Sequence, residues 1–271
     1  MIAFFSHPAD RPDSKHIRNE RSPCYMDAVS RYPEIDATRG IAILMMIVFH
    51  TVFDLSFFQI APVNVATGFW RYFAMATASL FLLVVGISLV VSHARSSGRL
   101  SGFALTKKFL VRGAGILALG LLATLATWLY LREGFIIFGI LHLIGVSVML
   151  SPLFFRFGKY NVLMGLLCIA GGFFIGTVQG PVWLLPFGVQ PPSFASVDYT
   201  PLIPWFGAVL VGIGVGEFLY AGGVRQFAAP QMPDLLIRPL AFLGRYSLII
   251  YLVHQPVIIL LLAAVTGTKV L

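Results

Sequence analysis

Charge is what this 271-residue chain has least of: Asp, Glu, Lys and Arg make up 11% of it, where a soluble domain carries about 25%. That excludes an ordinary water-soluble globule. Cysteine is nearly missing as well. Cys24 stands in a polar stretch and Cys168 in an apolar one, so neither a disulfide framework nor a metal site is indicated. No internal repeat is visible, which argues against the inverted-repeat transporter architecture. Low-complexity tracts are lacking too, because the 26 glycines and 16 prolines are scattered among apolar runs. Residues 179–201 contain no Lys or Arg. The opening IAFF run is too short for the core of a signal peptide.

What is there is apolar: hydrophobic residues make up 58% of the chain. They fall in runs long enough to cross a bilayer as helices, for which about 20 residues suffice. Spans are expected over 35–58, 70–91, 109–131, 135–155, 160–178, 202–219 and 240–265. The fold class is therefore all-α, a polytopic membrane bundle of about seven transmembrane helices. Residues 1–34, with Arg11, Lys15, Arg18, Arg21 and Arg31 among Pro, Ser and Asp, read as a flexible cytoplasmic tail in which Met26 is a second candidate start. Residues 35–271 read as the membrane domain. With the N-terminus inside, 16 of the 19 Lys and Arg lie on or near the cytoplasmic side, leaving Arg71, Arg132 and Lys269 outside. That asymmetry predicts an N-in, C-out topology with 179–201 as an outer loop. It also assigns the net charge of +8 to topology and anionic lipid rather than to nucleic acid.

The first span, IDATRGIAILMMIVFHTVFDLSFF, carries Asp36, Arg39, His50 and Asp54. The eleven steps from Arg39 to His50 make about three helical turns, so the two share a face. Asp36 lies three residues before Arg39 and Asp54 four after His50, close to the same stripe. Ionisable groups at membrane depth are costly and face protein or a watery cavity, so the stripe reads as a polar path along the helix. Snorkelling of Asp36 and Arg39 beside a hydrogen-bonded core histidine is the blander reading. Residue counts from the helix ends put His50, His142 and His254 in the outer half of the membrane on three different helices. The same counts put Arg39, Arg112, Glu217 and Arg245 toward the inner side. Two layers result, cationic within and histidine without. Taken singly, each histidine reads first as a hydrogen-bonded core residue; three at one level bring a shared functional site level with that reading. The spacings do not suggest a metal site. Glu217, behind glycines that serve close helix packing, reads as a counter-ion for an inner arginine.

The string RYPEIDATRGIAILMMIVFHTVFDLSFF resembles the first helix of bacterial membrane proteins grouped with the catalytic domain of heparan-α-glucosaminide N-acetyltransferase. FGILHLIGVSVML and DYTPLIPWFGAVLVGIGVGEFL resemble the same group, and LGRYSLIIYLVHQP is similar to the terminal helix of the wider transmembrane acyltransferase superfamily. The resemblance covers most of the chain after residue 31. It implies transfer of an acyl group, usually acetyl, from cytoplasmic acyl-CoA to a sugar amine or hydroxyl at the outer side of a bacterial inner membrane. It implies no metal. Arg39, Asp36, Arg112 and Arg245 would then form the acyl-CoA site, Arg meeting the phosphates. His50, Asp54, His142 and His254 would form the catalytic site, with His50 as general base and Asp54 orienting it. A covalent acyl-histidine is the alternative. Arg39 and His50 stand about 16 Å apart by helix rise, a span that suits an extended donor. A small-solute or proton-coupled carrier is the competing function that the polar stripe supports. A homo-oligomer is left open by the sequence.

Overall fold

The computed structural model describes residues 31–228 and 233–267. Most of the expected tail, Cys24 and Lys269 lie outside the described residues. The described chain is helical: α1 (Pro33–Phe57), α2 (Gly68–Ser97), α3 (Gly102–Leu131), α4 (Ile140–Phe154), α5 (Asn161–Ile175), α6 (Leu202–Leu219), α7 (Asp234–Arg245) and α8 (Ser247–Thr266). Helix α1 starts where Pro33 presets the backbone, with Glu34 and Asp36 in its first turn against the positive end of the helix dipole. Helices α2 and α3 have 30 residues each. At about 45 Å they outrun the hydrocarbon core. Arg95, Lys107 and Lys108 therefore ride on helical extensions rather than in the connection expected there.

Contacts fix the directions of the helices. Gly113 meets Gly145 and Met149, and Gly120 meets His142, so α3 and α4 are antiparallel. Gly165 meets Gly207 and Gly172 meets Pro204, so α5 and α6 are antiparallel. Gly86 meets Val209 and Gly216 meets Val90, so α2 and α6 are parallel. Bare backbone at these positions lets the helices touch, which matters where lipid offers no hydrophobic drive for association. Leu82, Leu89, Leu143, Val148, Val209 and Ile213 fill the space between α2, α4 and α6.

Among the described residues six stretches are long and apolar enough to cross a membrane, and they make the chain an integral membrane protein. One of them, Ile140–Ile175, contains both spans expected over 135–178. It is not a single rod. Gly158 leaves the helical region at φ 50°, ψ −127°, and the packing of α4 and α5 makes them two arms running opposite ways. Each arm has 15 residues, about 22 Å of helix.

Two expected boundaries change. The span expected over 240–265 is divided at Tyr246: α7 is a separate amphipathic helix and α8 alone is long and apolar enough to cross. A Cβ at Gly244 would overlap the Asp36 carbonyl, and one at Gly40 the Leu240 carbonyl. That close crossing holds α7 against α1 and turns the chain at Arg245. The span expected from residue 135 begins as helix only at Ile140. Before it, extended chain is stitched to the 179–201 segment. The Val197 amide donates to the Gly134 carbonyl, the Thr200 amide to the Phe138 carbonyl, and the Ser196 hydroxyl to the Phe135 carbonyl. The supposed outer loop is thus ordered structure, with Leu185 buried beneath it.

Candidate active site

The arginine cluster begins with Arg39. Its guanidinium donates to Asp36 at 2.9 Å, to the Ser88 hydroxyl at 2.6 Å and to the Gly244 carbonyl at 3.3 Å. One side chain thereby ties α1 to α2 and to the α7–α8 elbow. Beside it opens a cavity of about 350 Å³, within the size range of small-molecule sites. Its wall brings together Arg39, Arg112 and Arg245, with Ser88 from α2 and Tyr251 from α8. Asp36 is engaged with Arg39 and does not line this cavity. The ion pairs among the described residues are Arg39–Asp36, Arg225–Glu34 and Arg238–Asp234. Arg112 and Arg245 are in none of them. Glu217 is in none either, and lines a second cavity with Lys159 and Gln226; it is no counter-ion for the inner arginines.

The histidine cluster sits where α1 runs alongside α8. The rings of His50 and His254 meet edge to face, centroids 4.8 Å apart. His50 Nδ1 faces the Met46 carbonyl at 2.9 Å, and His254 Nδ1 faces the Tyr251 carbonyl at 2.6 Å. A carbonyl accepts only from N–H, so in both neutral rings the proton sits on Nδ1 and the Nε2 lone pair is left basic. Asp54 is 2% exposed, and it does not orient His50. Both its oxygens accept from the Gln255 amide nitrogen, at 2.7 and 2.8 Å. The i, i+4 spacing that suggested the Asp54–His50 pair brings the residues to one face but leaves each a nearer partner.

His142 stands apart from that pair. Its Nδ1 accepts from the Gly139 amide at 3.2 Å and its Nε2 meets the Thr124 hydroxyl at 3.3 Å. Both ring nitrogens are engaged within α3 and the start of α4. What connects it to the other two is Asp198. This carboxylate accepts from the Ile140 amide at 3.0 Å and the Thr200 hydroxyl at 2.8 Å. It also accepts from the Tyr251 hydroxyl and lies close enough to His142 for their charges to interact. Burial pushes the Asp198 carboxyl above the ordinary carboxylate value, against the pull of these donors. Tyr251 in turn packs on His254, ring centroids 5.5 Å apart, and reaches the arginine cavity. The polar chain therefore runs from the arginines through Tyr251 to the histidine pair, with Asp198 and His142 on its flank.

Gln255, Asp198 and Tyr251 were not singled out from sequence. Asp198 carried a signal, being the one charged residue within 179–201. Gln255 and Tyr251 read only as neighbours of His254. Among the described residues no group of three or more His, Cys, Asp and Glu is arranged to hold a metal ion.

A long-helix membrane bundle with an arginine-lined cavity, and Tyr251 of its wall packed on one of two paired histidines, defines the class of protein. Residues 31–256 match the family model described as heparan-alpha-glucosaminide N-acetyltransferase, catalytic, and the chain belongs to that family of membrane acetyltransferases. No curated protein and no solved structure matches it.

Proposed function

We propose that the protein is an acetyl-CoA-dependent acetyltransferase of a bacterial cytoplasmic membrane. It takes its donor from the cytoplasm and passes the acetyl group to a sugar amine or hydroxyl at the outer side. One observation carries the reading: a cavity has Arg112 and Arg245, in no ion pair among the described residues, in its wall, and Tyr251 of the same wall packs on His254 of the His50–His254 pair. The two free guanidinium groups suit phosphates, which Arg meets in bidentate fashion. Arg39, already shared among three partners, frames the site and adds charge.

In the reaction His50 Nε2 takes the proton of the acceptor N–H or O–H. The acceptor atom attacks the thioester carbonyl, the C–S bond breaks, and the CoA thiolate leaves and gains a proton. Amide or ester and CoA–SH are the products. His254 holds the ring of His50 in place edge to face.

The helix directions support seven crossings, α4 and α5 each counting as one, with the N-terminus inside and α8 ending outside. The Lys and Arg asymmetry supports the same orientation. The test is transfer from labelled acetyl-CoA to a panel of amino sugars and glycans by the purified, monodisperse protein. Turnover is expected with at least one acceptor. Solute flux in liposomes lacking acetyl-CoA, with no transfer, would make it a carrier instead. A cysteine at Ser193, which is exposed, should react with an impermeant thiol reagent in intact cells; reaction only after lysis would reverse the orientation.

A further inference from the structure

The second cavity, of about 410 Å³, shares no residue with the arginine cavity. It opens where α6 ends and α5 begins, so it lies at a rim of the membrane-crossing bundle. Gly214 brings its two sides together. A Cβ there would overlap Val162 and come within 3.1 Å of the Lys159 carbonyl. The chains touch at that point, and Glu217, about one turn further along α6, lines the cavity together with Lys159. The remaining wall is the chain after α6. It folds back through the Gln226 backbone amide, which donates to the Leu219 carbonyl at 2.9 Å, and through Arg225, which is held by Glu34. The Gln226 side chain spends its N–H groups on the Ala221 and Val224 carbonyls, so what it has left to offer is its carbonyl oxygen.

The two charges in this wall are not matched to each other. Lys159 and Glu217 form no ion pair among the described residues. Glu217 stands in the last turn of α6, which carries no basic residue. An anion there meets the negative end of the helix dipole, and a cation from outside the helix offsets that cost. Phe218 of the same wall is 75% exposed, so it offers apolar surface at the mouth of the cavity.

We propose that this cavity binds the headgroup of an amine-bearing phospholipid, an ethanolamine phosphodiester, from the surrounding bilayer. Its ammonium brings three N–H donors and a positive charge to the Glu217 carboxylate and the Gln226 carbonyl. Its phosphate meets the Lys159 ammonium, and an acyl chain lies along Phe218. A choline headgroup has the charge but no N–H to donate. A glycerol headgroup has no positive charge to set against Glu217. The inference is independent of the transferase reading.

The test uses the full chain in detergent micelles, with bound lipid counted by native mass spectrometry. The probes are phosphatidylethanolamine, phosphatidylcholine and phosphatidylglycerol with matched acyl chains, and water-soluble glycerophosphoethanolamine. Wild type should hold phosphatidylethanolamine at least about fivefold more tightly than either other lipid, an effect between those of an exposed ion pair and a charge-assisted hydrogen bond. E217Q should erase most of that preference. K159M should weaken all three lipids alike, because all three carry the phosphate. The wild-type ranking decides the matter even where a variant fails to fold: equal retention of the three lipids overturns the proposal. A preference that survives E217Q overturns it too, since the amine is then read elsewhere. Glycerophosphoethanolamine binding as tightly as the whole lipid would make the ligand a soluble phosphoamine and overturn the lipid assignment.

Discussion

The arginine end and the histidine end of the bundle handle polarity in opposite ways. At the arginine end charge is mostly paired. Arg39 holds Asp36, and Arg225 meets both oxygens of Glu34 at 2.7 and 2.8 Å while the Tyr220 hydroxyl adds a third donor. These pairs stitch the start of α1 to α2, to the α7–α8 elbow and to the chain after α6. Burial and the Glu34 carboxylate push the Tyr220 phenol up, so it stays a donor. At the histidine end His254 Nε2 and the Gln255 carbonyl oxygen have no partner among the described residues, and both are acceptors. Paired charge is architecture, because each partner offsets the other's desolvation. Unpaired groups persist at such depth where a ligand completes them. By that criterion Arg112 and Arg245 belong with the acceptors beside the histidines, although they lie beside Arg39.

Variants can break this division in order of expected size. His50→Ala should reduce acetyl transfer by about 10²–10⁴, the usual contribution of a general base, with acetyl-CoA affinity kept. If His50→Ala turns over like wild type while His254→Ala is dead, the base lies on α8. Next come the arginines. Arg112→Ala and Arg245→Ala should each weaken acetyl-CoA binding by about 1.5–3 kcal/mol in a titration, with thermal stability held. Arg39→Ala should lower both, since it also removes bonds to three helices. Equal losses of stability in all three variants would erase the distinction between framing and free cations. Arg225→Ala should cost about 1–3 kcal/mol of stability, because it leaves Glu34 short of its donor, and should leave the acetyl-CoA KM unchanged.

The smallest effect concerns Asp198. Its carboxyl is raised above the ordinary 3.8 by burial, so the folded state holds the proton more tightly than the unfolded chain. The stability this contributes is full below the unfolded value and is lost as pH climbs through the raised one. D198N cannot titrate. The thermal stability of wild type relative to D198N should therefore fall as pH rises above the ordinary 3.8. A constant difference would mean that Asp198 keeps the same charge in both states.

Much of this was legible beforehand because the bilayer leaves few choices. Apolar runs of sufficient length must be helices, since no other open structure satisfies the backbone in lipid. The Arg39–His50 stripe followed from helical period alone. The partition of residues 240–265 into α7 and α8 did not, because Leu240–Arg245 is compatible with either helix until Gly40 and Gly244 meet across α1. Nor did the partner of Asp54. Spacing along α1 placed it near His50, and a residue 201 positions away took it instead.

Sequence by itself determined the material of the protein: helices, their approximate ends, the first-span stripe and the excess of basic residues on one side. These depend on local period and on transfer from water to lipid, which each segment settles alone. Tertiary structure decided which polar groups are spent and which are left. It directed Arg39 into a frame while leaving Arg112 and Arg245 unpaired, gave Asp54 to Gln255 and His142 to Gly139 and Thr124, and folded residues 179–201 back so that Asp198 reached Tyr251. A hydrogen bond or ion pair between distant residues depends on how whole helices cross, and the crossings are set by the glycines at their contacts.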